Sequence, residues 1–159
     1  MVTLADSFAG GLARKDALPY ICAQVMGGIA GTVSAHLMFG LPAISLSQHT
    51  RSGAAQLYSE AIAAFGLLGV IAACSKLRPS AIPLAVGSYI AAAYWFTSST
   101  SFANPAVTVA RCITDTLAGI RPRNVPGFLF AQAIDALLAV VVFRWLLRET
   151  LNAENGASQ

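Results

Sequence analysis

From Ala17 to Phe39 the chain runs 23 residues without one formal charge. About 20 such residues in a helix cross the hydrocarbon core of a bilayer, so this run points to a membrane fold before any other residue is read. Three further apolar runs follow: Gln56 to Ser75, broken by Glu60; Ala81 to Thr97; and Pro126 to Leu147, which carries Asp135 and Arg144. Turn-rich stretches separate them, GLPAISLSQHTRSG at 40–53, KLRPS at 76–80 and GIRPRNVPG at 119–127. The expected fold class is an all-α membrane protein with four transmembrane helices. Composition agrees where it matters: 11% of the residues are charged, against about 25% in a soluble domain.

Four spans place both termini on one side. Arg14, Lys15, Lys76, Arg78, Arg144 and Arg148 share that side, whereas Arg51, Arg121 and Arg123 face the other. An excess of Lys and Arg marks the cytoplasmic face, which predicts a multi-pass cell-membrane protein with cytoplasmic termini. A net charge of +3 does not suggest a nucleic-acid binder. Cys22, Cys74 and Cys112 lack metal-ligand spacing and read as packing residues. His36 and His49 have no Cys, Asp or Glu at ligand spacing and read as structural or surface groups. With no nucleophile–base pair, metal set or cofactor motif, the chain is not read as an enzyme, and no cofactor or metal is expected. The N-terminus is too polar for a signal peptide, and residues 148–159 read as a disordered cytoplasmic tail. Gly27 and Gly31 have small-xxx-small spacing and serve helix packing.

Two stretches resemble each other. VTLADSFAGGLARKDALPYICAQ at 2–24 and VTVARCITDTLAGIRPRNVPGFLFAQ at 107–132 both open on Val-Thr-aliphatic-Ala. Both then show an Ala-Gly pair, a basic loop, a proline and an apolar span with Ala-Gln. Internal repeats of this kind mark channel and transporter folds built from two halves. The second copy is preceded by Asn104-Pro105-Ala106; the first is preceded by Met1 alone. The expectation is that the chain begins inside a structural unit whose own Asn-Pro-Ala lay upstream.

Asn is a favoured helix N-cap and Pro a favoured first helical residue. Residues 104–118 therefore read as a short helix, too short to span, with SSTSFA at 98–103 as an extended arm that dips into the membrane. Irregular backbone at that depth is tolerated only where it lines a water-filled cavity or is buried in protein. The helix N-terminus carries about half a positive charge. It would repel a cation, while a neutral polar solute would meet the Asn104 amide.

These residues resemble the aquaporin and glycerol-facilitator family, the major intrinsic proteins. The resemblance covers residues 1 to about 147; its anchor is FANPAVTVAR, with the two Ala-Gln spans and SEAIAAF at 59–65 in support. It implies six spans plus two half-helices that meet at their Asn-Pro-Ala caps. This chain would supply the tail of the first half-helix (1–12), four spans (17–39, 56–75, 81–97, 126–147) and the second half-helix (104–118). The first two spans of the six are missing. By resemblance, Asn104, Pro105 and Ala106 lie at the pore centre, and Glu60 is a buried acceptor for the arm's backbone. Ala92 and Ser101 are small selectivity-filter positions. Exclusion of ions by an arginine and half-helix dipoles is the known mechanism of this family.

Water-selective members usually have Arg directly after the second Asn-Pro-Ala, where this chain has Val107. The resemblance then implies a wider, less polar constriction, suited to glycerol, urea or undissociated metalloid acids such as arsenite, with water a further candidate. Arg111 lies four residues on, on the same helix face. It either supplies the missing charge one turn further out or pairs with Asp115. Membrane lipid, a small neutral solute and further copies in a homotetramer are the partners implied, with no nucleic acid. A non-conducting truncated fragment, a mis-started gene product and a small four-span transporter of several copies stand as alternatives.

Overall fold

The structure, a computed structural model, describes Thr3, Ser7 and residues 13–157. The expected half-helix tail at 1–12 lies outside the described residues apart from Thr3 and Ser7, both helical. Among the described residues the fold is all-helical: α1 Arg14–Met38, α2 Ala54–Leu77, α3 Ile82–Phe96, α4 Pro105–Ala110 and α5 Val125–Ala157. Short 3-10 turns lie at Pro79–Ala81, Arg111–Ile113 and Pro122–Asn124.

Among the described residues three helical stretches are long and apolar enough to cross a bilayer: Lys15–Met38, Ala54–Leu77 and Pro122–Leu146. The remaining expected span, 81–97, is the shortest of the four and is helical over Ile82–Phe96. α3 has 15 residues, about 22 Å of helix, and the preceding 3-10 turn adds about 6 Å. The reason lies at its ends. Pro79 and Pro83 start the turn and the helix, and at Thr97 the backbone becomes extended to enter the arm.

Two expectations need correction. The helix after Asn104 does not reach residue 118. It ends as α helix at Ala110, tightens to 3-10 through Ile113, and Thr114 is extended. Its last carbonyls are taken by other backbone N–H groups: Ile120 donates to Arg111 O, Ser47 to Cys112 O and Ser45 to Ile113 O. The loop before α2 thus caps the helix and stops it. The tail read as disordered is helical to Ala157. LLRETLNAE is rich in helix formers and simply prolongs α5.

α2 is the central helix. It runs parallel to α5: Leu57 lies near Gly127 at one end, and Phe65 stacks on Phe143 at 5.0 Å further along. Ala64, Leu68, Ala136 and Ala139 fill the seam. Gly69 is needed there, because a Cβ would stand 2.6 Å from the Phe143 ring. α3 returns antiparallel over Ala63 and Leu67, and Tyr89 Oη donates to Ala63 O at 3.0 Å. α1 leans on α4, where an added Gly28 Cβ would come within 3.1 Å of Ala110. Small residues set these close approaches, as in membrane bundles generally.

The buried set is unusual for its polarity. Among the described residues twelve polar or charged ones are buried beside thirteen apolar ones, while Leu137, Leu138, Val141 and Trp145 of α5 point outward. Of the cysteines read as packing residues, Cys112 packs against the Phe102 cluster, but Cys22 is exposed on α1.

The repeat inferred from sequence has a structural counterpart. Gln132 Nε2 donates to Thr108 Oγ1 at 3.0 Å, and Gln24 Nε2 donates to Thr3 Oγ1 at 2.8 Å. Each pair joins the Ala-Gln of a span to the Val-Thr at the head of its copy.

Candidate functional site

The site is built from the arm between α3 and α4. Thr100, Ser101 and Ala103 have φ of 60°, 44° and 50°, a region that side-chain-bearing residues rarely adopt. Such a backbone persists only when its surroundings hold it. Glu60, fully buried on α2, is the main holder. Its Oε2 accepts from Phe102 N at 3.1 Å and its Oε1 from Ala103 N. Gln132 Nε2 adds a third bond to Oε1 at 2.6 Å. Three donors thus face a carboxylate that would otherwise be costly in the membrane.

Outside this clamp the arm is tied by its carbonyls. Gln56 donates to Ser98 O, Arg51 Nη1 to Ser99 O and Arg111 Nη1 to Thr100 O. Ser59 Oγ accepts from Ser98 N at 2.8 Å. The side chains of Thr100 and Ser101 are left with buried hydroxyls that have no partner among the described residues.

At the arm's end Asn104 caps α4: its Oδ1 accepts from Ala106 N at 3.0 Å, and its own carbonyl accepts from Thr108 N and Thr108 Oγ1. Pro105 takes the first helical position. With Oδ1 used by the cap, the Asn104 amide keeps its N–H donors for another partner. Ala106 is buried, Val107 is half-buried against the cluster of Phe102, Ile120 and Phe128, and Ala92 is exposed on α3.

Arg111 does not pair with Asp115. Asp115 Oδ1 accepts from Gln48 N at 2.8 Å. The Arg111 guanidinium turns back to Thr100 O and lies 5.0 Å from the Tyr94 ring and 4.6 Å from the Phe102 ring. A cavity of about 270 Å³ opens beside it, walled by Thr32, His36, Phe39, Arg111, Thr114 and Thr116 among others. His36 is a latch on that wall. Its ring nitrogens meet Pro42 O and Thr114 Oγ1, both at 2.7 Å.

Arg51 is the residue that sequence reading undervalued. Read as an outer-loop charge, it is buried and donates to Gly119 O, Ser99 O and Leu117 O, with Phe102 5.3 Å below its guanidinium. Burial, and then the nearby Arg111, lower its pKa from the usual arginine value. Gln132 and Thr108 appeared only as marks of the repeat. Polar residues recurring at matched places in apolar stretches were the available signal.

Buried carboxylate, strained re-entrant arm and capped short helix together define a class: α-helical membrane proteins with a polar segment folded back into the bundle. Comparison with known proteins agrees. The chain is 51% identical over 147 residues to the aquaglyceroporin AqpS of Rhizobium meliloti (strain 1021), a match covering 92% of this chain and 63% of that protein. The chain belongs to the aquaporin and glycerol-facilitator family and is a multi-pass membrane protein. No family model and no solved structure matches it.

Proposed function

We propose that the chain forms the wall and filter of a passive channel for small uncharged solutes. The observation that carries this reading is the arm itself. Backbone strained at three positions and held by a buried carboxylate is tolerated at membrane depth where it is buried in protein or lines a water-filled path; this arm is buried on its α2 side, and the channel reading puts the path on its other side. At the arm's end the positive pole of α4 and the Asn104 amide face that path, repelling cations and binding a passing hydroxyl.

The solute class follows from the residues that the family resemblance puts in the filter. Ala92 and Ser101 are small, and Val107 puts a neutral, half-buried group where water-selective relatives carry arginine. Arg111 returns the missing charge from one turn further along, beside the cavity. Such a constriction suits glycerol-like polyols, urea and undissociated arsenite, with water passing as well. The name of the matched relative, an aquaglyceroporin, favours glycerol. The excess of basic residues on one side favours cytoplasmic termini in the cell membrane, and the family resemblance favours a tetramer. Channel function of this kind needs no catalytic group.

Light-scattering assays on proteoliposomes test the reading. Glycerol and arsenite should enter far faster than in empty vesicles. Rapid water flux with glycerol excluded overturns the wide-filter assignment.

A further inference from the structure

Among the described residues, two buried acceptors on α5 have no donor. Gln132 is fully buried and uses its Nε2 on Glu60 and Thr108, so its Oε1 is left without a partner. Asp135 is 6% exposed, and its Oδ2 is also without one. The residues are three apart on one helix, so their side chains rise from the same face, with Cβ atoms about 5–6 Å apart. Asp135 stands at the middle of the apolar stretch Pro122–Leu146, where an ionised carboxylate is most costly. On α2, Glu60 is near enough to act on it as a charge of the same sign and is joined to Gln132; the half-helix α4 contributes the Thr108 hydroxyl to this network.

The scaffold does not demand an acid here. Gln24 holds the place of Gln132 in the first copy of the repeat, and three residues after it stands Gly27, where an added Cβ would meet nothing within 4 Å. Asp135 therefore belongs to the second copy alone.

We propose that Asp135 is kept as the neutral acid and donates its proton to Gln132 Oε1. One proton then gives both orphaned oxygens a partner. It also fixes the sense of the Gln132 amide, whose oxygen faces Asp135 and whose N–H groups face Glu60 Oε1 and Thr108 Oγ1. Asp135 is thereby a positioning residue for the arm, acting through Gln132 and Glu60. Loss of the proton sets a carboxylate against the amide oxygen. The amide turns over, its oxygen meets the Glu60 carboxylate, and the clamp on Phe102 and Ala103 loosens. Conductance falls as pH rises, a consequence that rests on the channel reading above.

The test uses the full chain in proteoliposomes and two readouts. Infrared spectroscopy at neutral pH should show the carbonyl stretch of a buried protonated carboxylic acid, lost in Asp135→Asn. Glycerol flux in the wild type should drop several-fold from neutral to alkaline pH. Asp135→Asn keeps an N–H donor and cannot ionise, so it should retain the neutral-pH flux without the pH dependence. Asp135→Leu, which has no donor, should be slow at every pH. A missing infrared band, or a wild-type pH profile in Asp135→Asn, overturns the proposal. The band present with no flux in any variant supports the proton assignment and sinks the channel reading instead.

Discussion

Replacing Glu60 by Gln is the sharpest perturbation of the arm, because shape is kept and only charge and one acceptor are lost. In the native chain the two carboxylate oxygens accept from Phe102 N and Ala103 N. The amide can accept from one of these, without a charge, and turns an NH2 toward the other. A charge-assisted bond contributes about 1.5–3 kcal/mol and an orphaned buried N–H costs about 1–3 kcal/mol, so the substitution removes about 2.5–6 kcal/mol. The left-handed residues Thr100, Ser101 and Ala103 store about 1–3 kcal/mol each, roughly 3–9 kcal/mol together. The lost holding energy matches the strain it restrains, so the arm should relax. Glycerol flux of Glu60→Gln proteoliposomes, at equal protein per vesicle, should fall at least about ten-fold, the equivalent of 1.4 kcal/mol at the constriction. The thermal midpoint in detergent should fall with it. Wild-type flux and an unchanged midpoint would refute the idea that Glu60 holds a strained arm.

Arg111→Leu removes the positive charge beside the cavity and the bond to Thr100 O; proton or cation leak measured with a pH-sensitive dye should rise, and unchanged exclusion would put the barrier at α4 alone. Val107→Arg places charge and bulk after the tripeptide, so the ratio of glycerol to water flux should drop; an unchanged ratio would take Val107 out of the filter. Arg51→Lys gathers its three donors on one nitrogen, which cannot reach the three carbonyls now met separately by Nε, Nη1 and Nη2, and should lose about 2–5 kcal/mol of loop anchoring, seen as a lower thermal midpoint. Gly66→Ala drives a methyl into Tyr89, and overpacking of this kind costs about 1–3 kcal/mol; the α2–α3 seam should melt earlier, and a midpoint at or above wild type contradicts the packing described.

Long apolar runs made the three full spans legible, because lipid admits little but helix there. The Asn-Pro pair marked the start of α4 for an equally local reason, a cap followed by a residue with preset φ. The end of α4 was not legible. It is imposed by Ser45, Ser47 and Ile120, which reach the last carbonyls from distant loops, and no periodicity encodes that. Arg51 was hidden for the same reason: its partners are three main-chain carbonyls, and carbonyls carry no sequence signature. Glu60 was easier, since a carboxylate inside an apolar run demands partners wherever it lies.

The arm's chemistry is written in main chain. Carbonyls 98, 99 and 100 are each gripped by a side chain from elsewhere, Gln56, Arg51 and Arg111, and two of its N–H groups by Glu60. Mutation can exchange a side chain but cannot delete a carbonyl. Drift within Ser98–Thr100 therefore leaves the polar surface in place, whereas drift at the anchors moves all of it at once. Variation in such a protein should thus be inherited unevenly: free along the arm, and coupled among four residues that lie up to 60 positions away from one another in the chain.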